Sequence, residues 1–163
     1  MSRRRFLTYT IASTGGFLAS GVLFPMIRFA VDPLLQKGTD TKFVDVGPVD
    51  EFGESPKKVE FRIHRKDGWY QKEGGEKATA WVLKEGSKIL ALSPICKHLG
   101  CTVKWEGGGF QDQFYCPCHG GLYTKDGVNV PGTPPNAPLD TYAYKVEGGR
   151  LLLGPLETRG GGA

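Results

Sequence analysis

The sequence predicts an all-β body of small antiparallel sheets behind one N-terminal membrane-spanning helix. Three observations carry that prediction. The 24 Gly and 11 Pro among 163 residues interrupt the chain too often for a helix bundle and supply the turns that short strands need. The apolar segments after residue 41 are short and bounded by Gly, Pro, Asp or Ser. Before them, Phe6 to Ile27 runs for 22 residues without a charge, and at ~1.5 Å per residue such a helix spans ~33 Å, enough to cross a hydrocarbon core once. The length leaves room for one folded domain besides that helix and excludes a large multidomain enzyme. With 39% hydrophobic and 23% charged residues the chain is neither mostly disordered nor a polytopic membrane protein.

Taken in order, residues 1–31 are expected to be a signal and anchor. Ser2-Arg3-Arg4-Arg5-Phe6-Leu7 resembles the bacterial twin-arginine export signal. Three arginines ahead of the span put the N-terminus in the cytoplasm and the body on the extracytoplasmic side of the cell membrane, by the positive-inside rule. No Ala-x-Ala site lies between Ala19 and Ala30, so the anchor is expected to stay uncleaved. Residues 32–40, with Pro33 and Gly38, read as a tether. The body is expected over 41–159, with a flexible tail at 160–163. Strands are expected at Val59–Ile63, Ala80–Leu83, Lys88–Leu92, Phe110–Tyr115, Thr141–Val146 and Leu151–Leu153. Turns are expected at Asp67-Gly68, Glu85-Gly86-Ser87, Asp126-Gly127 and Gly148-Gly149, which makes successive strands antiparallel hairpins.

The net charge of +4 is located before it is interpreted. Residues 1–31 hold four arginines and no acid, which leaves 17 basic against 17 acidic residues in the remainder. A neutral body without a basic stripe does not bind a phosphate backbone, so nucleic acid is excluded as a partner.

Six of the seven Cys and His residues fall between Cys96 and His119. They form two similar loops, Cys96-Lys97-His98-Leu99-Gly100-Cys101 and Cys116-Pro117-Cys118-His119-Gly120-Gly121. Outside a membrane, four cysteines can make two disulfides. Cys and His at short spacing can also hold a structural zinc, although six ligands are two too many for a tetrahedral site. A third arrangement, a 2Fe-2S cluster, takes one thiolate and one imidazole from each loop and leaves two cysteines over. The seventh residue, His64, lies at a strand edge and reads as a surface residue.

The two loops resemble the Cys-x-His-x-Gly-Cys and Cys-Pro-Cys-His-Gly-Ser boxes of Rieske iron-sulfur proteins in cytochrome bc-type complexes. Gly132-Thr133-Pro134-Pro135 is similar to the Gly-Pro-Ala-Pro-type loop of the same family. The resemblance implies a Rieske fold with a cluster-binding subdomain and one Rieske-type 2Fe-2S cluster. Cys96 and Cys116 would hold one iron, His98 and His119 the other, and Cys101 would pair with Cys118 in a disulfide. Rieske ferredoxins of ring-hydroxylating systems usually lack both the extra cysteines and an anchor. The resemblance further implies that Tyr123 bonds a cysteine sulfur, and that Leu99 and the loop with Gly132, Pro134 and Pro135 shield the cluster. The family often has Ser where this chain has Gly121. Glycine cannot donate that hydroxyl's hydrogen bond to a sulfide, so the potential is expected at the low end, which suits a low-potential quinol such as menaquinol.

The expected function is that of a one-electron carrier subunit of a quinol:cytochrome c oxidoreductase, working with a cytochrome b subunit and a c-type cytochrome in a dimeric complex. His98 and His119 would be its catalytic residues. Ligation acidifies an imidazole, so the oxidised cluster can keep a deprotonated histidine ready for the quinol's proton, and the midpoint is expected to fall with rising pH at alkaline values. The alternative reading is the Rieske small subunit of an exported oxidase such as arsenite oxidase, which copurification with a molybdenum protein would favour.

Overall fold

The computed structural model describes residues 2–35, 42–64, 66–67, 70–71 and 73–160. The chain divides into two compact units, one ending at Thr39 and one starting at Asp40.

The described residues of the first unit form one helix, α1, Arg3–Leu35. It is long and apolar enough to cross a membrane, with a mean hydropathy of 1.4 in its most apolar window. Its large side chains point outward, Phe17 at 77% and Phe29 at 85% exposure. The hydroxyls in the span do not contradict that reading. Thr8 and Thr10 donate to the carbonyls of Arg4 and Phe6 at 2.9 Å, and Ser13 and Ser20 to those of Thr10 and Phe17 at 3.0 and 2.8 Å. Each of these four is satisfied within the helix, as an apolar surrounding demands. The helix runs on through Asp32 to Leu35, into the segment read as a tether, and Arg28 pairs with Asp32 one turn on at 3.1 Å. The rest of that segment, 36–40, lies outside the described residues.

Among its described residues the second unit holds eleven strands. They are β1 Val44–Pro48, β2 Lys57–Ile63, β3 Lys66–Asp67, β4 Tyr70–Gln71, β5 Glu76–Glu85, β6 Lys88–Leu92, β7 Lys104–Trp105, β8 Gln113–Cys116, β9 Gly121–Thr124, β10 Thr141–Glu147 and β11 Arg150–Glu157. Six of them form one antiparallel sheet in the order β1-β11-β10-β6-β5-β2, β3 pairs with β4, and β7-β8-β9 form a separate meander. In the large sheet β6 and β10 meet only at the pair Leu92–Thr141. The two halves therefore diverge from that corner and close over a shared core, which Phe61 and Tyr142 bridge edge to face at 5.4 Å.

The hairpin β5–β6 has two faces, and both are covered. Ala80, Val82, Ile89 and Ala91 point into the core between the halves of the sheet. The residues between them, Trp81, Leu83, Leu90 and Leu92, face a second core shared with Cys96, Val103, Phe114, Cys116, Tyr123 and Leu139. A strand buried on both faces reads as a continuous apolar run, which is why Ala80–Leu83 shows no alternation. Gly127 lets the chain return against this wall. Its φ is +74°, and a Cβ there would stand 2.7 Å from Leu92 Cδ2.

The antiparallel all-β architecture agrees with the sequence expectation, with shifted strand ends. β5 and β11 extend well past Ala80–Leu83 and Leu151–Leu153. The strand expected over Phe110–Tyr115 begins only at Gln113. Three glycines, Gly107–Gly109, form a 3-10 turn and Asp112 takes a left-handed φ of 54°, so Phe110 folds back and stacks on Tyr115 at 5.5 Å. β1, β3, β4, β7 and β9 were not expected. Of the expected turns, Gly68 lies outside the described residues, and so do residues 161–163 of the tail.

Candidate metal centre

Both cysteine-histidine loops leave the second core and come back to it. The first follows β6: Val103 N–H donates to Pro94 O at 2.8 Å and Ile95 bridges to Thr102. The second is the connection between β8 and β9, closed by the pair Cys116–Gly121. Each loop makes the same turn. Gly100 N–H reaches Cys96 O at 3.0 Å, and Gly120 N–H reaches Cys116 O at 3.1 Å, both glycines having positive φ. In each case the leading cysteine stays in the core while the histidine is carried out to the surface.

Cys96 and Cys116 are thus buried thiols, each 2% exposed, while His98 and His119 are exposed. The two imidazoles stand edge to face with centroids 4.9 Å apart. Cys101 and Cys118 form a disulfide with Cα atoms 6.5 Å apart, joining one loop to the other. The sulfurs of Cys101, Cys116 and Cys118 lie within 4.8 Å of one another. Two of the three are bonded together, so within that trio only Cys116 keeps a thiolate to offer.

The electrostatics favour replacing thiol protons with a metal. Burial pushes the Cys116 thiol up, and the neighbouring Cys96 adds to the shift, while the backbone N–H groups of Cys118 and His119 donate to the sulfur and oppose it. Buried thiols faced by N–H donors suit a bound cation that takes the proton's place. Tyr123 is fully buried on β9; its hydroxyl accepts Lys97 N–H at 2.8 Å and donates to Cys96 Sγ at 3.2 Å. Burial, then the bond to Cys96, holds this phenol far above its ordinary value, so it stays a donor. The donor set of two sulfurs and two ring nitrogens, with no carboxylate among them, suits a soft, sulfur-rich centre. These residues fit an iron-sulfur cluster held by Cys96, Cys116, His98 and His119.

The surroundings divide into a lid and a support. Leu99 projects at 69% exposure beside His98. In the loop over the second box, Pro135 is buried while Gly132 and Pro134 are exposed. Pro135 packs directly on Gly121, where a Cβ would approach Pro135 Cδ to 3.0 Å and Cys116 Cβ to 3.4 Å. Asn129 Nδ2 donates to Pro135 O at 3.2 Å, and Thr133 ties back to Val130 O at 2.7 Å. His64 is exposed on the body, away from the two boxes in sequence and outside either core. Four residues at the site escaped the sequence reading: Lys97, Asn129, Thr133 and Asp140. Lys97 alone carries a local signal, a cation between a buried cysteine and an exposed histidine.

Comparison with known proteins bears on the same residues. The family model for the Rieske [2Fe-2S] domain matches residues 44–143. Among curated relatives, the menaquinol:cytochrome c reductase iron-sulfur subunit of Geobacillus thermodenitrificans is 52% identical over 98% of this chain and 95% of its own length. Its namesake from Bacillus subtilis is 51% identical over 99% of this chain and 96% of its own. A cytochrome b6-f complex iron-sulfur subunit from Chlorobaculum tepidum is 32% identical, covering 93% of this chain and 74% of the relative. Among solved structures, a plasma membrane Rieske protein from Synechocystis aligns with a TM-score of 0.46 at 24% identity, over 69% of this chain and 99% of that one.

Proposed function

The chain belongs to the Rieske iron-sulfur family, and on that premise we propose that it is the electron-carrier subunit of a menaquinol:cytochrome c reductase. It would serve in a dimeric complex with a cytochrome b subunit and a c-type cytochrome. The observation that carries the reading is the pairing of two buried thiols with two exposed imidazoles on loops tied by Cys101–Cys118. The full-length similarity to two menaquinol:cytochrome c reductase subunits supports the choice of quinol and acceptor. A glycine at position 121, which offers no side-chain donor, supports a low potential and hence menaquinol.

When bound, a Rieske-type 2Fe-2S cluster would supply a one-electron site between quinol and the cytochrome. The protein contributes the rest. Cys96 and Cys116 would hold one iron, and His98 and His119 the other. A ring nitrogen of His98 or His119 that is not engaged by iron accepts the proton of the quinol hydroxyl. Leu99 gives the quinol ring an apolar contact next to that nitrogen, and Tyr123 stabilises negative charge on Cys96 Sγ by hydrogen bonding. α1 anchors the subunit, with its arginines on the cytoplasmic side and the body on the extracytoplasmic side.

The test is an EPR-monitored redox titration of membranes that contain the full chain. A reducible signal of Rieske anisotropy, well above the potential of all-thiolate ferredoxins and falling with pH at alkaline values, is the expected result. Zinc in place of iron, or no signal from intact protein, would overturn the ligand assignment. Copurification with a molybdenum protein in place of a cytochrome b would overturn the assignment to a cytochrome bc-type complex.

A further inference from the structure

Beyond the ligands, a clamp runs from the first loop to the body. Lys97 Nζ lies 2.8 Å from both carboxylate oxygens of Asp140, and the two side chains are only 22% and 14% exposed. Asp140 is itself fixed on both sides. Its carbonyl accepts Ser93 N–H at 2.8 Å at the end of β6, and its Oδ1 accepts Arg159 N–H at 3.2 Å beyond β11. An ion pair so shielded from water, with one partner held by other bonds, locates a loop better than an exposed surface pair does.

The disulfide holds the loop at Cys101 and the ion pair fastens it at Lys97. Between the Ile95–Thr102 bridge and its tip it has no ladder partner among the described residues. What it holds in place is the Lys97 amide, which donates to Tyr123 Oη at 2.8 Å. A phenol has one proton. With the amide occupying an acceptor site on Oη, that proton is left to be donated to Cys96 Sγ, 3.2 Å away. The chain of contacts is therefore Asp140 carboxylate, Lys97 ammonium, Lys97 amide, Tyr123 hydroxyl, Cys96 sulfur.

We propose that Lys97 and Asp140 are positioning residues for the redox centre: by clamping the first loop to the body they keep the Lys97 amide on Tyr123 and so direct the tyrosine proton onto Cys96. The proposal rests on the reading of Cys96 as an iron ligand. It makes the ion pair a determinant of the midpoint potential through a hydrogen bond, since losing a donor to the sulfur disfavours the more negative, reduced centre.

The experiment compares Lys97→Met, Asp140→Asn, Lys97→Arg and Tyr123→Phe, singly and with Tyr123→Phe combined with each clamp variant, in membranes containing the full chain. EPR-monitored titration reads the potential, and hydrogen exchange of the peptide spanning residues 95–101 reads the loop. Lys97→Met and Asp140→Asn should each shift the reduction equilibrium roughly threefold to tenfold toward the oxidised form, tenfold being about 59 mV for one electron. Both should speed exchange in the loop, Lys97→Arg should retain the parent potential, and neither loss should move the potential further once Tyr123 is Phe. Three results would overturn the clamp. One is shifts of opposite sign for Lys97→Met and Asp140→Asn, which would mean the charges act directly. Another is shifts that persist in the Tyr123→Phe background. The third is a fall in melting temperature with an unchanged potential. Absence of a Rieske signal from the parent protein would instead overturn the ligand assignment, and the clamp with it.

Discussion

The β5–β6 hairpin separates two cores that are held together in different ways. On one side, Phe61, Val82, Ile89, Leu151 and Leu153 fill the space between the halves of the large sheet with aliphatic and aromatic surface. On the other, Leu83, Leu92 and Leu139 pack against Phe114, Tyr123 and two cysteines, and three short strands depend on named links. Those links are the disulfide Cys101–Cys118, the bond from Tyr123 to Cys96 and the pair Lys97–Asp140. The first core draws on buried area, a currency in which neighbouring side chains can substitute for one another. The second draws on particular atoms, none of which has a substitute. A molecule built this way can drift in the sequence of its body without touching its redox centre.

Substitutions can break or sharpen that contrast. The largest effect expected is from Cys116→Ser, which should remove iron from the isolated protein entirely while the far-ultraviolet spectrum of the body persists; iron content and circular dichroism on one sample decide it. Leu153→Ala, in the fully buried aliphatic core, should destabilise the fold by about 2–5 kcal/mol yet leave the midpoint potential unchanged. If the potential moved, the two cores would not be independent. Replacing both Cys101 and Cys118 by Ser opens a loop of sequence separation 17 and should cost about 3 kcal/mol through the unfolded chain, with cluster retention falling as the loops part. Thermal melts followed by iron release measure it. Tyr123→Phe should destabilise the fold by about 1–3 kcal/mol, because the Lys97 amide loses its acceptor, and should lower the potential, by about 59 mV if the reduction equilibrium shifts tenfold.

The smallest effect lies on the body's surface. Asp45 on β1 accepts a hydrogen bond from Arg150 on β11, which holds its carboxyl below the ordinary 3.8 despite a small opposing effect of burial. A depressed carboxyl stabilises the fold above its unfolded value and loses that contribution as pH falls through the folded one. Asp45→Asn should therefore melt slightly earlier than the parent at neutral pH, and the difference should vanish in acid once the pH has fallen below the folded value of Asp45.

How much of this was legible in the chain followed from the range over which each feature is specified. β6 has the predicted bounds, Lys88–Leu92, because a Glu-Gly-Ser turn precedes it and Ser-Pro follows. β1 was missed because its pairing with Leu151–Leu153 is specified at the other end of the chain, and Gly47 and Pro48 read locally as breakers. β9, Gly121–Thr124, was hidden because it starts on the last residue of a box read for its chemistry. The same rule applies at the site. The density of Cys and His announces a centre by composition alone. Asp140 announces nothing: it is 43 positions from Lys97, in a stretch with no motif. Gly121 was read as a missing hydroxyl. The structure adds a second role, since Pro135 occupies the space that any side chain there would claim.

Phe114 sits between Trp105, 4.8 Å away on the meander, and Trp81, 5.6 Å away on the large sheet. Interlocked rings of this kind leave no plane along which the meander could swivel against the sheet, because a packed interior resists shear. Any displacement of the two boxes therefore carries the large sheet with it, and the body is one solid parcel.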